Sequence, residues 1–276
     1  MINISNLQFS YPRKPQLFHG LDLQLEQGRI YGLLGKNGTG KSTLLKLIQG
    51  VLFPHQGAIT VGGAFSSDRK AAMLEDIFFL SEEYAEPAIA IKAFVQAYGP
   101  LYPQYDNDKF SRLLEGFEVD AGSKFSELSY GQKKKVLISF GLASNCRYLL
   151  MDEPTNGLDI PSKRQFRKAM LTEFRSDQIV IISTHQIRDL NQLLESVIII
   201  EGGKILFNQS VSELEDKLTF ETRLGPEVVA ESLYTDRVAG GYLHLLPNTS
   251  GEPSEIDLEV LFNAVIEDQQ KINAHF

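Results

Sequence analysis

Apolar and polar residues alternate over the first 31 residues of the chain. Side chains of a strand point to opposite faces in turn, so a period of two predicts strands with one buried face. A turn that contains proline and lysine separates two such runs, whose apolar members are Ile2, Ile4, Leu7, Leu21, Leu23 and Leu25. The chain is therefore predicted to begin with a β-rich segment.

Further along, short apolar runs alternate with segments of helical spacing. The run RIYGLLG at 29–35 is followed by leucines at helical spacing up to Gly50. Three later runs read RYLLMDE, QIVIIST and SVIIIEG, and helical patterns at 161–174 and 187–195 separate them. Strands that are apolar throughout and alternate with helices are typical of a parallel sheet covered on both faces. We expect this α/β arrangement to form the core.

The other segments differ from this core. Residues 82–127 carry apolar side chains at helical spacing, and a helix is predicted to follow at 133–143. Two weak strand candidates and a closing helix lie near the end of the chain, at 218–222, 242–246 and 256–266. We predict a main domain over 1–207, with a helical subdomain at about 82–127, and a small α+β extension over 208–276.

The composition narrows the class of protein. Of the 276 residues, 43% are hydrophobic and 22% are charged, and the formal net charge is −8. This acidity argues against a general nucleic-acid binder, which carries a basic stripe. Cys146 is the single cysteine, so no disulfide forms within the chain and a reducing compartment is favoured. We see no apolar run that could span a bilayer and no signal peptide, and expect a soluble chain that reaches a membrane only through a partner.

Residues 35–42 read GKNGTGKS and fit the phosphate-loop pattern of Gly, four residues and Gly-Lys-Ser. The stretch follows a predicted strand and opens a predicted helix, a context that an incidental glycine-rich turn would lack. Its glycines let backbone N–H groups turn toward phosphate oxygens, and the helix start adds a partial positive charge. Lys41 is expected to reach the β- and γ-phosphates of a nucleotide, and the Ser42 hydroxyl to ligate Mg²⁺.

Acidic and imidazole side chains follow two of the predicted strands. Asp152 and Glu153 end one run, and we expect Asp152 to hold Mg²⁺ through water and Glu153 to act as a general base on water. His185 follows the next run and can donate a hydrogen bond to a γ-phosphate. An acid pair before Pro154 is also typical of a helix cap, and a lone histidine is usually structural. The phosphate loop favours the catalytic interpretation of both.

Residues 128–132 read LSYGQ and precede a predicted helix, where Ser129 is a natural N-cap. With this stretch, residues 1 to about 207 resemble the ATP-binding cassette (ABC) ATPases. GKNGTGKST matches their Walker A motif, YLLMDEP is similar to Walker B with the catalytic glutamate, and LSYGQ resembles the LSGGQ signature. TNGLD looks like the D-loop, and His185 matches the switch histidine. The resemblance implies a phosphate-loop NTPase with a parallel core sheet, an antiparallel N-terminal β subdomain, a small helical subdomain, and ATP and Mg²⁺ as cofactors.

The resemblance also assigns roles to single residues. Catalysis is expected from Lys41, Glu153 and His185, and magnesium binding from Ser42, Asp152 and Glu82. The family sandwiches ATP in a head-to-tail dimer, in which Walker A of one subunit faces the signature of the other. Tyr11 lies where the family places a ring that stacks on adenine, although such a tyrosine is more often plain packing. The residues expected to bind nucleotide are Tyr11, Gly35, Asn37, Gly38, Thr39, Gly40, Lys41, Ser42, Thr43, Ser129, Gly131, Gln132 and Asp159.

Two positions depart from the family pattern. Glu82 stands where the Q-loop has glutamine, and a carboxylate there can still ligate Mg²⁺. Tyr130 stands where the signature has glycine, so its backbone must suit a side chain, and we expect its ring to point away from ATP or onto a neighbouring surface. Three lysines follow, Lys133 to Lys135. They are predicted to form a solvated helix face, with charge that complements a second subunit's nucleotide as the alternative.

The resemblance favours an ATPase subunit of a membrane transporter. A single nucleotide domain with a tail of roughly 65 residues resembles the ATPase subunits of ABC-2-type exporters, which work on a separate permease at the inner face of the cell membrane. We expect residues 82–94 to form the docking surface for this integral-membrane permease, and a homodimer or a paired ATPase subunit as the second partner.

Two alternatives belong to other classes. One is a soluble ABC machine that acts on ribosomes or DNA, which the single set of motifs and the acidic charge disfavour. The other is a nucleotide-binding regulator without turnover, which Glu153 and His185 argue against. Nucleic acid is therefore not an expected partner.

Overall fold

Parallel strands form the centre of the computed structural model, which describes residues 1–84, 87–190, 192–224 and 231–276. The strands of this part are β1 (Ile2–Ser10), β2 (Gln16–Leu25), β3 (Arg29–Leu34), β4 (Gln56–Val61), β5 (Ala64–Phe65), β6 (Ile77–Leu80), β7 (Tyr148–Asp152), β8 (Ile179–Thr184), β9 (Ser196–Glu201), β10 (Lys204–Ser210), β11 (Leu218–Arg223), β12 (Tyr234–Val238) and β13 (Gly241–Pro247). Its helices are α1 (Lys41–Gln49), α2 (Ala71–Leu74), α3 (Ile91–Tyr98), α4 (Asn107–Gly116), α5 (Tyr130–Ala143), α6 (Ile160–Glu173), α7 (Val211–Lys217), α8 (Leu258–Glu267) and α9 (Gln269–Asn273). Short 3₁₀ turns lie at Ser66–Asp68, Gly99–Leu101, Phe125–Glu127 and Ile187–Leu190.

The central sheet has the order β10-β9-β3-β8-β7-β6, in which β10 is antiparallel and its neighbours along the sheet are parallel. Alternate side chains of each parallel strand enter different apolar clusters. In β8, Val180 and Ile182 belong to one cluster and Ile181 to the other. A strand buried on both faces needs apolar residues at successive positions, which is why these strands appear as unbroken runs. The predicted α/β core is confirmed.

The N-terminal strands form a separate antiparallel sheet with the order β2-β1-β4-β5. Its buried residues pack with α1 against one face of the central sheet, in a cluster that includes Ile4, Leu23 and Leu45. Burial alternates along β1 and β2 as the period-two pattern predicts, with one interruption in each strand, between Ile4 and Leu7 and between Phe18 and Leu21. The sheet places the turn after β1 beside the phosphate loop.

The helical spacing within 82–127 is confirmed as α3 and α4, here called the helical insertion, which pack on α5. Aromatic rings fill the contact: the Phe140 ring centroid of α5 lies 5.0 Å from that of Phe94 and 6.3 Å from that of Phe110. Such edge-to-face pairs add stabilisation to the burial of the rings themselves. Helix α5 is thereby fixed between the insertion and the central sheet.

The end of the chain is an α+β layer that shares the core of the cassette. The two strand candidates are confirmed as β11 and β13, and the closing helix as α8, whereas β12, α7 and α9 have no counterpart in the sequence pattern. Leu218, Leu245 and Leu261 belong to the same buried cluster as the helical insertion. Strand β10 crosses residue 207 and pairs with β9. The division into domains at 207 stays a prediction.

The helix predicted over 187–195 is wrong. The described residues there form only the 3₁₀ turn Ile187–Leu190, although Leu190, Leu193 and Leu194 are buried. The segment must return from the end of β8 to the start of β9, because both strands run parallel to β3. A nine-residue α-helix advances roughly 13 Å, less than the roughly 20 Å length of a six-residue strand. The apolar spacing therefore reflects burial beneath α8 and not a helix.

Candidate functional site

The phosphate loop joins β3 to α1 and has the backbone that its glycines predict. Gly38 and Gly40 are left-handed, with φ of 83° and 104°, and Gly40 immediately precedes the helix. A Cβ on Gly40 would lie 2.8 Å from the Phe18 ring, and one on Gly35 would lie 2.7 Å from the Ile200 carbonyl oxygen. A side chain is thus excluded by both conformation and space at Gly40, by space at Gly35 and by conformation at Gly38. The first N–H groups of α1 are left to bind an anion.

Lys41 is buried in the first turn of α1, with 7% of its surface exposed. Its Nζ donates to the Gly35 carbonyl oxygen at 2.8 Å and to that of Lys36 at 3.1 Å. Burial lowers the pKa of Lys41, while Glu153 and other nearby carboxylates act to raise it. The loop carbonyls therefore hold the ammonium group at the place where phosphate oxygens would replace them.

Asp152 and Glu153 lie at the carboxyl end of β7 and are almost fully buried. An Asp152 oxygen accepts a hydrogen bond from the Ser183 hydroxyl of the neighbouring strand. Glu153 has a left-handed backbone, with φ of 47°, which an L-residue adopts only when its surroundings enforce it. The acids are thus fixed by contacts with β8 and are not simply a helix cap.

The Glu153 carboxylate contacts the residues that follow β8. One oxygen accepts from the His185 backbone N–H at 3.0 Å and lies 2.7 Å from the imidazole Nδ1. The other oxygen accepts from the Thr184 hydroxyl at 3.1 Å. Two of the three predicted catalytic side chains, Glu153 and His185, are therefore in direct contact.

A cavity of about 1020 Å³ brings the motifs together. It is large enough for a nucleotide, since small-molecule sites usually span about 300–1,000 Å³. The predicted site residues that line it are Tyr11, Asn37, Gly38, Gly40, Lys41, Ser42, Thr43, Glu82, Glu153 and His185. Gly35, Thr39 and Asp152 belong to the same loop and strand end but do not line it.

Tyr11 forms part of the cavity wall beside the phosphate loop. Its hydroxyl lies 3.1 Å from the Thr43 hydroxyl, and its ring packs edge-on against Phe9 at 5.0 Å. The side chain is 38% exposed. An exposed ring at the rim is compatible with stacking on a base, and this role stays a prediction.

The predicted magnesium residues present one hydroxyl and two carboxylates. Ser42 and Glu82 line the cavity, and a Glu82 oxygen also accepts from the Asn156 side-chain amide at 3.0 Å. Among the residues that the structure describes, no three His, Cys, Asp or Glu side chains form a ready-made metal site. Mg²⁺ commonly takes one or two carboxylates together with substrate phosphates and water, so this donor set fits an ion that arrives with ATP.

The signature residues do not line this cavity. Ser129 caps α5: its Oγ accepts from the Gln132 N–H at 3.3 Å, and the Gln132 side chain accepts from the Ser129 N–H at 2.9 Å. This reciprocal capping box leaves Ser129 exposed at the helix start. Gly131 approaches the D-loop, because a Cβ there would lie 3.3 Å from the Gly157 carbonyl oxygen.

Asp159 also lies outside the cavity. It caps α6 by accepting from the Ser162 N–H at 2.9 Å, and hydrogen bonds from the Ser162 side chain and backbone lower the pKa of its carboxyl group. Asp159 is exposed, as Ser129 is.

Tyr130 is tolerated where the signature has glycine because of its place in the helix. It is the first residue of α5 and needs no left-handed backbone. Its ring stacks on that of Tyr84, with centroids 6.4 Å apart and planes at 15°, and covers Gly157. The prediction that the ring rests on a neighbouring surface is confirmed.

The predicted solvated face of three lysines is wrong. Lys134 is completely buried, and its Nζ donates to the Glu153 carbonyl oxygen at 2.6 Å and to that of Asn156 at 3.3 Å. Lys133 is also buried, and Lys135 donates to the Phe117 carbonyl oxygen at 3.1 Å. Carbonyl groups of adjacent turns face α5 on several sides. Three consecutive lysines in the sequence give no sign of these different environments.

Helices of the described residues are all too short or too polar to cross a membrane.

Comparison with known proteins gives the wider context. A family model described as "ABC transporter" matches residues 18–156. The peptide-export ATP-binding protein SkfE of Bacillus subtilis is 27% identical over 79% of this chain and 92% of its own. The nickel-import ATP-binding protein NikO of Rhodobacter capsulatus is 32% identical over 73% and 86%.

A solved structure described as the ATP-binding subunit of an ABC transporter has the same fold. It aligns with a TM-score of 0.68 and 21% identity, over 78% of this chain and 92% of its own.

Proposed function

The chain belongs to the ABC transporter family as an ATP-hydrolysing subunit, and from this premise we propose that it works as a head-to-tail dimer on a separate membrane permease. One observation supports the proposed dimer. The predicted nucleotide contacts are divided between the cavity and an exposed helix start at Ser129 that the cavity does not include. Within one chain the signature has no nucleotide to contact, so a second subunit would supply it.

In the proposed site, Lys41 releases the carbonyl groups of Gly35 and Lys36 and binds the β- and γ-phosphates. The loop backbone from Gly35 to Gly40 and the side chains of Asn37, Thr39 and Thr43 surround the phosphates, and Tyr11 stacks on adenine. From the second subunit, Ser129, Gly131 and Gln132 reach the γ-phosphate, and Asp159 lies at the subunit boundary. ATP would thus hold two subunits together.

Hydrolysis is assigned to Glu153 and His185. Glu153 polarises the attacking water, and its buried carboxylate is already oriented by Thr184 and His185. His185 exchanges its contact with Glu153 for a hydrogen bond to the γ-phosphate. Mg²⁺, when bound, supplies a charge that stabilises the transferring phosphoryl group. Ser42 and Glu82 would hold it directly, and Asp152 through water.

The permease is proposed to dock on residues 82–94, of which 85 and 86 lie outside the described residues. Ile89 is 37% exposed there, and just beyond this stretch Tyr98 at the end of α3 and Leu101 of the following 3₁₀ turn are 46% and 58% exposed. Exposed apolar side chains on one subdomain are typical of a protein-binding surface. This docking would place the chain at the cytoplasmic face of the membrane.

Export is the proposed direction. It is supported by the resemblance of the cassette with its tail to ABC-2-type exporters and by the likeness to SkfE. NikO is an import protein with a similar sequence identity to this chain, so sequence identity by itself favours neither export nor import. Co-purification with an integral-membrane subunit from detergent-solubilised membranes would support a transporter, whereas pelleting with ribosomes or DNA would support the soluble alternative.

The dimer is tested with Glu153→Gln, which keeps the shape of the side chain. We expect this variant to bind ATP, to hydrolyse almost none, and to elute as a dimer in size-exclusion chromatography with Mg-ATP. Glu115→Gln, the same change on the exposed face of α4, is the control and should match the wild type. A Glu153→Gln protein that stays monomeric at saturating ATP would contradict the proposal.

A further inference from the structure

Lys134 occupies an unusual position for a charged side chain. It lies one helical turn after Tyr130 on α5, and none of its surface is exposed. Its Nζ lies 5.5 Å from the centre of the Tyr130 ring, a cation–π distance. A buried ammonium group is retained only where hydrogen bonds and nearby charges compensate for lost water.

The compensation comes from the turn that follows Walker B. The ammonium group donates to the backbone carbonyl oxygens of Glu153 and Asn156, which bracket this turn. Burial lowers the pKa of Lys134, and the carboxylates of Glu82, Glu153 and Asp152 act to raise it. The lysine therefore holds the backbone of the catalytic glutamate at the residue whose φ is left-handed.

Lys134 joins two regions that take part in the proposed reaction, the signature and the catalytic glutamate. Tyr130 and Lys134 belong to one helix, whose exposed start carries the signature, so a displacement of that start also moves the lysine. Glu153 carries the carboxylate of the same chain's own cavity. Side chains four residues apart lie on one helix face, which places the signature and the lysine on a single rigid element.

We propose that Lys134 is a positioning residue that fixes Glu153 of its own chain and links it to the signature. The inference rests on the proposed dimer, in which the signature contacts a second subunit's nucleotide. ATP bound in one site would then shift α5 of the chain that supplies the signature. Through Lys134, this shift would change the position of that chain's Glu153, which belongs to the other site. The link acts within the chain, from residue 134 to residue 153.

The first test is Lys134→Met, which fills the same space without hydrogen bonds. We expect kcat for ATP hydrolysis to fall tenfold or more, with KM and the affinity for a fluorescent ATP analogue within about twofold of wild type. Lys135→Met is the matched control, since it removes the same charge from the same helix and a bond to the Phe117 carbonyl while both Lys134 bonds to the turn after Glu153 stay in place. If Lys134→Met does not fold, Lys134→Gln, which retains a donor, is measured instead.

The second test uses mixed dimers purified through two different affinity tags. When Lys134→Met and Glu153→Gln are on one chain and the partner is wild type, the rate should match that of a wild-type and Glu153→Gln dimer. When the substitutions are on separate chains, the rate should fall well below it, because the intact glutamate then lacks its lysine. Equal rates, the reverse order, or a wild-type kcat in Lys134→Met would overturn the inference. A wild-type protein that hydrolyses ATP without dimerising would instead contradict the proposed function.

Discussion

The ring of Tyr130 covers Gly157 so closely that a Cβ on the glycine would lie 2.6 Å from the ring carbon Cε1. The signature and the D-loop of one chain therefore fit together through a tyrosine and the absence of a side chain. The two positions are complementary, and a change at either should affect the other.

Gly157→Ala is expected to lower the midpoint of urea unfolding, because it adds both left-handed strain and a collision with Tyr130. The cost should exceed the roughly 1 kcal/mol of an alanine in a left-handed glycine position. Gly63→Ala is the control, since Gly63 is also left-handed but has open space around its Cβ. Tyr130→Ala should rescue part of the loss at Gly157 and none at Gly63.

Ser183→Ala is expected to weaken the use of Mg²⁺, because the Ser183 hydroxyl donates to Asp152. Loss of a partner that orients a metal ligand typically costs about 10–100-fold in metal affinity or activity. The ATPase rate measured against Mg²⁺ concentration should shift to higher concentrations.

Ser139→Ala provides the comparison for this change. Ser139 is equally buried, and its Oγ has no hydrogen-bond partner among the described residues. Its removal should leave the Mg²⁺ dependence unchanged and stability equal or slightly higher. An unaltered Mg²⁺ curve for Ser183→Ala would show that Asp152 does not depend on the hydroxyl.

The Cys146 thiol should resist alkylation in the folded protein. Burial raises its pKa to about 12, so at pH 8 it is protonated and also shielded. Iodoacetamide should label it slowly in buffer and rapidly in guanidinium chloride, as followed by mass spectrometry. The unfolded thiol ionises near its ordinary pKa of about 8.5, so the contribution of this group to stability decreases between about pH 8.5 and 12. Rapid labelling in buffer would be inconsistent with this burial.

Leu261→Ala should destabilise the protein by about 2–5 kcal/mol, the usual cost of a large cavity in a core. Leu261 lies on α8 and is fully buried in the cluster that the tail shares with the cassette. Leu171→Ala on the exposed side of α6 should change the free energy of unfolding by less than about 0.5 kcal/mol. A small effect at Leu261 would mean that the tail folds apart from the cassette.

The central sheet and the phosphate loop could be predicted because their signals are local. A buried strand needs consecutive apolar residues, and the loop needs glycine at Gly38 and Gly40, so both requirements appear in the sequence. The capping role of Ser129 follows for the same reason. The contact of Glu153 with His185 could be anticipated as well, once both were placed at neighbouring strand ends.

Other features depend on distant neighbours. Lys134 is buried because the turn after Glu153 presents carbonyl groups to it, and the three lysines look alike without that turn. Strand β12 contains three consecutive polar residues, Thr235 to Arg237, and is completed only by pairing with β13. The 3₁₀ turn at Ile187–Leu190 replaced the predicted helix because of the distance between strand ends.

The capping box of Ser129 and Gln132 has a consequence for how fast and how tightly two copies would associate. The reciprocal hydrogen bonds already fix the helix start in the single chain. Preorganised surfaces lose little conformational entropy when they meet, so more of the contact energy remains as affinity. A second subunit would therefore bind to a signature that is already ordered. Its dissociation would depend on what happens to the nucleotide and not on refolding of the signature.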